Sequence, residues 1–367
     1  ATAFSNDYDK YERDLKKYNL HDFYWKEIER EFSYQSGKPS IYDFLIEVFN
    51  ANFSLGERKG VSQESKILLS VWKDTLSYQE SFKNLSKKIA DELNAEEKLN
   101  EVALNDIIED DLFQIIDMKV ISDISSLIIE EEYNNGKINH LIKKREYKYW
   151  YPAFQDLYAC LEYANNLIKL VKKHAGDNIE SFNEGIKNYA EVYYKIDFQY
   201  RKFIQHFRQA KQNAVLEPLL EKVEKIYCND WLFSFGNKWQ EVIDQVDKWS
   251  FNPKISQKRF FTDHVKPFIN KGQRLFVVVS DALRYECGWE YLQKIQSHNR
   301  FEGELSYMVS GLPSYTQLGM SFLLPNKNVS IQKNSENVLI DGQPTSGIQS
   351  RVNILDSYSE TKAGAIN

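Results

Sequence analysis

Residues 276–286 read FVVVSDALRYE: four apolar residues run straight into a carboxylate, Asp281, and then into a basic, aromatic helix start. Further along, VSGLPSYTQLGM ends a second apolar run and opens a second helix on Ser314, Tyr315 and Thr316. A carboxylate holds divalent ions. A hydroxyl at a helix N-terminus is placed to attack phosphorus, because free backbone N–H groups and the helix dipole stabilise the phosphoryl oxygens beside it. Together the two groups are the least that metal-assisted phosphoryl transfer needs: the ion lowers the pKa of the hydroxyl, which becomes the nucleophile. Each residue also has a plainer role. Asp281 suits the N-cap of a helix beginning near Leu283, and Ser314 or Thr316 the N-cap of the next. Taken singly, each stretch favours the cap.

The surrounding pattern says what would hold these residues. After Asn252-Pro253 the chain becomes richer in Gly and Pro, and apolar runs shorten to strand length at 275–279 and 305–309. Helical patterns follow at 285–295 and 315–323. Strand, helix, strand, helix predicts a parallel α/β unit with right-handed crossovers, in which ligands bind beyond the carboxyl ends of the strands. Asp281 and the Ser314–Thr316 stretch lie at those ends. NVLIDGQPTSG reads as a short strand entering a turn.

Upstream, the pattern is helical almost throughout. Tyr189, Tyr193, Ile196, Tyr200, Phe203 and Phe207 alternate steps of four and three along one helix face. Similar runs cover 64–93, 99–133 and 152–174, with Pro152 where a first-turn proline is tolerated. Turn signals separate them at Gly37-Lys38-Pro39, Gly56 to Gly60, Asn134-Asn135-Gly136 and Gly176-Asp177-Asn178. The expectation is a mainly α protein: an α-helical domain of about eight helices over 1–268, then the first strands and helices of a parallel α/β sheet, incomplete, over 269–367.

Composition narrows the function. A chain of 367 residues, 42% hydrophobic and 27% charged, is globular, and 14% aromatic residues predict thick helix–helix packing. A net charge of −6 argues against a broad basic surface for nucleic acid. No apolar run is long enough to span a membrane and the polar start lacks an apolar signal core, so a cytoplasmic protein is expected. Cys160, Cys228 and Cys287 form no C-x-x-C pair, which points to reduced thiols rather than disulfides or thiolate zinc. The histidines, His21, His140, His174, His206, His264 and His298, make no H-x-H or H-E-x-x-H pair. Asp263-His264 reads as a surface helix feature. YRKFIQHFRQAKQ (200–212) interleaves basic and aromatic residues, but its periodicity puts the aromatics on the buried stripe. EIEREFSYQSGK and IIEDDLF read as charged helix surface. A start without Met and the end TKAGAIN suggest a piece of a longer protein.

LFVVVSDALRYECGWEYL, then GLPSYTQLGMSFLLPN, then LIDGQPTSGIQSRVNIL closely resembles the opening of the PglZ domain, a member of the alkaline phosphatase superfamily found in the BREX phage-defence systems of bacteria. The likeness is specific across about 260–355; the helical region before it is only a compatible layout. The resemblance implies that Asp281 is the first metal-ligand Asp of the superfamily. It implies that Thr316 is the nucleophile, a metal ligand as well, forming a phospho-threonine during hydrolysis. Ser280, Arg284 and Glu286 share the motif without a transferable role. Arg284 suits bidentate phosphate binding, although a helix-surface salt bridge with Glu286 or a neighbour is the commoner use of such a residue.

The implied cofactor is a divalent metal, two zinc ions in the superfamily, whose remaining Asp and His ligands would lie beyond Asn367. Asp263-His264 precedes the Asp281 strand and does not replace them. This chain alone is therefore expected to bind metal weakly and to be catalytically silent. The implied substrate is a phosphate ester, with nucleic acid one candidate, and the implied partners are other BREX components. The competing reading makes the chain a helical interaction module, or scaffold, docking a methyltransferase or an ATPase of the same system without catalysis of its own.

Overall fold

The computed structural model describes residues 8–57, 61–131, 135–246, 251–358 and 361–362. Helices dominate, and the chain divides into two compact units. One runs up to Lys173 and takes in Gln199–Asp230; the other joins His174–Phe198 to the chain from Trp231 onward.

The first unit follows the predicted chemistry closely in places. After the turn at Gly37-Lys38-Pro39, Ser40 is extended and its hydroxyl accepts the Asp43 N–H at 3.1 Å, which starts the helix Ile41–Asn52. That helix buries Ile41, Phe44, Leu45, Val48 and Phe49 at helical spacing. Phe49 stacks on Phe82 at 5.7 Å and on Phe113 at 5.9 Å, while Phe82 meets Trp72 at 6.0 Å and Tyr149 at 5.0 Å edge to face. Burying each such side chain stabilises the fold by about 1.5–3 kcal/mol. The predicted aromatic packing is therefore the centre of this unit.

The long helical runs are broken more often than their periodicity predicts, giving more and shorter helices than expected. The run 64–93 divides into Glu64–Asp74 and Gln79–Glu92, with Thr75 extended between them. The run 99–133 divides into Ala95–Leu99, Leu104–Ile107 and Gln114–Glu130, its last residues lying outside the described ones. For the break before Gln114 the cause is visible in IIEDDLF, which is not charged helix surface. Asp110 accepts backbone N–H groups from Ser54 at 2.8 Å and Leu112 at 2.9 Å, and Asp111 accepts Tyr149 N–H at 3.1 Å. Carboxylates that bind backbone donors offer the chain an alternative to the helix ladder. The expected turn at 134–136 is also displaced, since a helix already begins at Asn135; residue 134, like 58–60 of the turn before it, lies outside the described residues.

Among the ion pairs that brace this unit, one is fully buried and another bridges the loop at 110–111. Arg145 and Asp117 are both wholly buried and joined at 2.6 Å. Lys73 and Asp111, half-buried, also meet at 2.6 Å. Burial alone would raise the Asp111 carboxyl, but the Lys73 ammonium and the Tyr149 N–H outweigh it and hold the group below its ordinary value. A depressed folded pKa stabilises the protein above the unfolded value, and that contribution disappears as pH falls through the folded one. Lys73→Met is therefore expected to move acid unfolding to higher pH, read as the midpoint of a circular-dichroism titration. Cysteine accessibility gives a second check. Burial pushes the Cys160 thiol up to about 12, whereas Cys228 is exposed. Alkylation of the native protein is expected to mark Cys228 promptly and Cys160 only after denaturant is added.

In the second unit, Phe182 stacks on Trp239 at 5.3 Å and on Phe251 at 6.1 Å, over a core of Ile179, Phe182 and Val242. Helix Tyr285–Gln296 lays Tyr285 and Trp289 against Tyr194, and Trp289 against Phe198 at 5.0 Å. A small antiparallel sheet follows, of strands β1 (Val329–Ile331), β2 (Val338–Ile340) and β3 (Gln343–Pro344), in the order β1-β2-β3. Leu339 pairs with Pro344 and Ile340 with Gln343, so Asp341-Gly342 is a two-residue turn, with φ of 49° and 85°. Positive φ at both positions is the type I′ hairpin that an Asp-Gly pair specifies.

The predicted parallel strands are absent among the described residues. Stretch 275–279 joins no sheet, with Phe276 82% and Val278 84% exposed. From 305–309 only Val309 forms a bridge, parallel, to Ser256. A parallel strand is stable when both edges are hydrogen-bonded and both faces are covered by helices. Neither condition is met here, so strong strand propensity does not become a strand.

Candidate functional site

Asp281 occupies a turn between the apolar stretch 275–279 and the helix Tyr285–Gln296. Its Oδ1 accepts the N–H of Ala282 at 3.0 Å, and Ala282 adopts a left-handed φ of 57°, unusual for a residue with a Cβ. The helix N-cap is Arg284, without a side-chain cap bond. The cap role open to Asp281 is thus not realised: its carboxylate is exposed and its second oxygen carries no donor from the described residues.

Thr316 is the first residue of the helix Thr316–Leu323, and Tyr315 takes the N-cap position. The Tyr315 hydroxyl donates instead to the Glu336 carbonyl at 3.0 Å, so no side chain caps the first turn. Thr316 and Ser314 are both exposed, and neither hydroxyl is bonded to another described residue. The helix carrying Thr316 is held from behind. Leu318 and Ser321 are buried, and Ser321 Oγ bonds Thr345 Oγ1 at 2.9 Å, next to β3. Thr345 in turn donates to the Val338 carbonyl of β2 at 2.9 Å. Gly311 lies against Phe322, and a Cβ there would stand 2.3 Å from the ring, so only glycine lets the loop before Thr316 approach its own helix.

The other candidates separate clearly. Arg284 is exposed and makes no ion pair among the described residues, and Glu286, only 1% exposed, is no surface partner for it. The expected helix-surface salt bridge is therefore not formed; burial of Glu286 under the helix removes it from solvent. Asp263 is bound bidentately by Arg259 at 2.7 and 2.8 Å, which lowers its carboxyl, and His264 stacks on Phe260. That pair is a surface helix feature, as its order in the chain predicts. The aromatics of 200–212 are used internally: Phe203 is wholly buried and Tyr200 stacks on Tyr227 at 3.8 Å.

No bond joins Asp281 to Thr316, and no group of three or more His, Cys, Asp or Glu among the described residues is placed to hold a metal ion. Two oxygen donors fall short of the roughly four that zinc takes. These residues alone do not fit a zinc centre. No helix among the described residues is long and apolar enough to cross a membrane.

Sequence reading missed a cavity of about 400 Å³ in the second unit, walled by Tyr189, Phe235, Trp239, Tyr285, Tyr307 and Met308. Its walls come from separate stretches of chain, each reading as ordinary core pattern, so no local signal announces it.

Comparison with known proteins places the two exposed groups in a wider pattern. No solved structure matches the chain. It is 28% identical over 372 residues to the alkaline phosphatase-like protein BrxZ of Escherichia coli, covering 94% of this chain and 43% of that protein. It is 26% identical over 363 residues to the alkaline phosphatase-like protein PglZ of Bacillus cereus, covering 95% of this chain and 42% of the relative. The chain thus spans less than half the length of these relatives. Residues 260–367, which carry both Asp281 and Thr316, match the BREX system PglZ alkaline phosphatase-like domain, and likeness to proteins of that name extends over most of the chain.

Proposed function

We propose that this chain supplies Asp281 and Thr316 to a PglZ-type phosphatase or phosphodiesterase that works with other BREX components. The observation that carries the reading is the helix start at Thr316: an exposed hydroxyl beside a first turn that no side chain caps, within the stretch matching the PglZ domain. Free N–H groups there suit the oxygens of a phosphoryl group. Thr316 Oγ1 bonds to phosphorus as the ester P–O bond breaks and the alcohol leaves; water then attacks phosphorus and returns the threonine. Asp281, its second oxygen open, is read as one ligand of a divalent ion, and the rest of the donor set belongs to a longer protein. Arg284, exposed and without an ion-pair partner among the described residues, is placed to meet a phosphate oxygen.

The test uses a full-length protein containing this chain, with added zinc or manganese, a chromogenic phosphate monoester and a chromogenic phosphodiester. Asp281→Ala and Thr316→Ala should each lose hydrolysis of whichever ester the unaltered protein cleaves. Equal rates in all three proteins overturn the assignment and leave the interaction-module reading standing. For this chain by itself, a zinc titration should show weak binding; a tight stoichiometric site contradicts the need for further donors.

A further inference from the structure

Thr316 is exposed, yet the residues on either side of it are both tied to one short piece of chain. The Tyr315 hydroxyl donates to the Glu336 carbonyl at 3.0 Å. In the amide orientation that satisfies both its ends, the Gln317 carboxamide oxygen accepts the N–H of Val338 at 3.2 Å and that of Ser346 at 3.3 Å. The bond to Val338 has a cause in the sheet. β3 stops at Pro344, and although the Thr345 N–H still reaches the Val338 carbonyl at 3.1 Å, the Thr345 carbonyl, which the next rung would aim at the Val338 N–H, meets Arg351 Nε at 3.2 Å instead. Val338 is wholly buried, and a buried N–H without an acceptor costs about as much as a lost hydrogen bond. Gln317 supplies that acceptor, so its side chain belongs to the end of the β2–β3 ladder as much as to its own helix.

We propose that Tyr315 and Gln317 are positioning residues, a clamp that holds the Thr316 hydroxyl in line for attack on phosphorus. The proposal rests on the reading of Thr316 as nucleophile and adds what aims it. A first turn without a side-chain cap frays readily, because its N–H groups have no partner within the helix. Two side chains, one residue before Thr316 and one after it, both gripped by 336–338, fix its backbone and the direction of its Cβ while leaving its own side chain in solvent. Chemistry depends on such aim, since a misplacement of about 1 Å can cost about 100-fold in rate. Neither grip involves the substrate, so losing one should slow the chemical step without weakening substrate binding.

The test uses a full-length protein containing this chain and the ester it cleaves. Thr316→Ala is compared with Tyr315→Phe, which removes only the hydroxyl, and with Gln317→Met, which keeps the length of the side chain but removes the amide. Each of the latter two should lower kcat about 10-fold with KM little changed. Combined, they should lower it about 100-fold, with Tm still above the assay temperature. Amide hydrogen exchange checks the contact itself: Gln317→Met should speed exchange at Val338 and Ser346 about 10-fold or more. If Thr316→Ala is silent while Tyr315→Phe and Gln317→Met turn over like the unaltered protein, the nucleophile stands and the clamp is overturned. If Thr316→Ala keeps its activity, the nucleophile reading fails and takes the clamp with it. A rise in KM at unchanged kcat, exchange at Val338 and Ser346 unmoved by Gln317→Met, or loss of rate only in step with unfolding also overturns the proposal.

Discussion

Arg145→Met is expected to destabilise the protein by about 3–5 kcal/mol, seen as a fall in the urea midpoint of the first unit. The guanidinium is wholly buried and its donors are directed inward: Nη2 to Asp117 Oδ2 at 2.6 Å, Nε to Oδ1 at 3.2 Å, and Nη1 to the carbonyls of Ile108 and Asp110 at 2.9 and 2.6 Å. Those carbonyls end the short helix Leu104–Ile107 and begin the loop bearing Asp111. Methionine fills the volume but leaves a buried carboxylate with only the Tyr158 hydroxyl, 2.6 Å away, and two carbonyls with no donor. Burial pushes the Asp117 carboxyl up, and Arg145 is the main influence against it. Without Arg145 the acid takes up a proton on folding, so the variant should gain stability as pH falls toward the ordinary carboxylate range. Removing both charges, as Arg145→Met with Asp117→Leu, should recover much of the loss, because the desolvation cost goes with the pair. A double variant no more stable than the single one would contradict this account.

Thr316→Ala is expected to lower kcat/KM for ester hydrolysis by at least about 100-fold in the full-length protein, since it removes a group that bonds to phosphorus only as the reaction proceeds. Thr316→Ser separates chemistry from packing. Serine keeps the hydroxyl, and because Thr316 is exposed the lost methyl leaves no cavity. Serine should therefore retain far more activity than alanine, with KM little changed in either. If serine and alanine variants are equally impaired, the methyl matters and the hydroxyl is not the nucleophile. If neither is impaired, the hydroxyl has no part in the reaction.

Much of this could be read from residues alone, for physical reasons that differ by element. The helix starting at Tyr285 and the one starting at Thr316 were legible because each couples an apolar stripe to a loop signal, Ser280-Asp281 in one case and Gly311 with Pro313 in the other. The Asp341-Gly342 turn was legible because almost nothing but an Asp-Gly type pair tolerates two positive φ values in succession. The parallel strands misled, since 275–279 has strand composition but strands also need neighbours, which composition does not report. The Arg145–Asp117 pair was invisible because the partners are 28 residues apart and charged residues are ordinarily solvated. Asp281 and Thr316 stand out as candidates through their motif, not through spacing, which favoured caps that the chain gives to Arg284 and Tyr315 instead.

The uncovered stretch 275–279 has a consequence for handling the chain. Leu, Phe and three valines with no charge and no proline form a sticky segment of the kind that templates intermolecular β-pairing. Its neighbours are Arg274 on one side and Ser280-Asp281 on the other. Charges flanking such a segment act as gatekeepers, making register with a second copy costly. Asp281 therefore guards the chain's solubility as well as being a candidate ligand, and its replacement by alanine calls for a concentration-dependent light-scattering control before any loss of activity is attributed to chemistry.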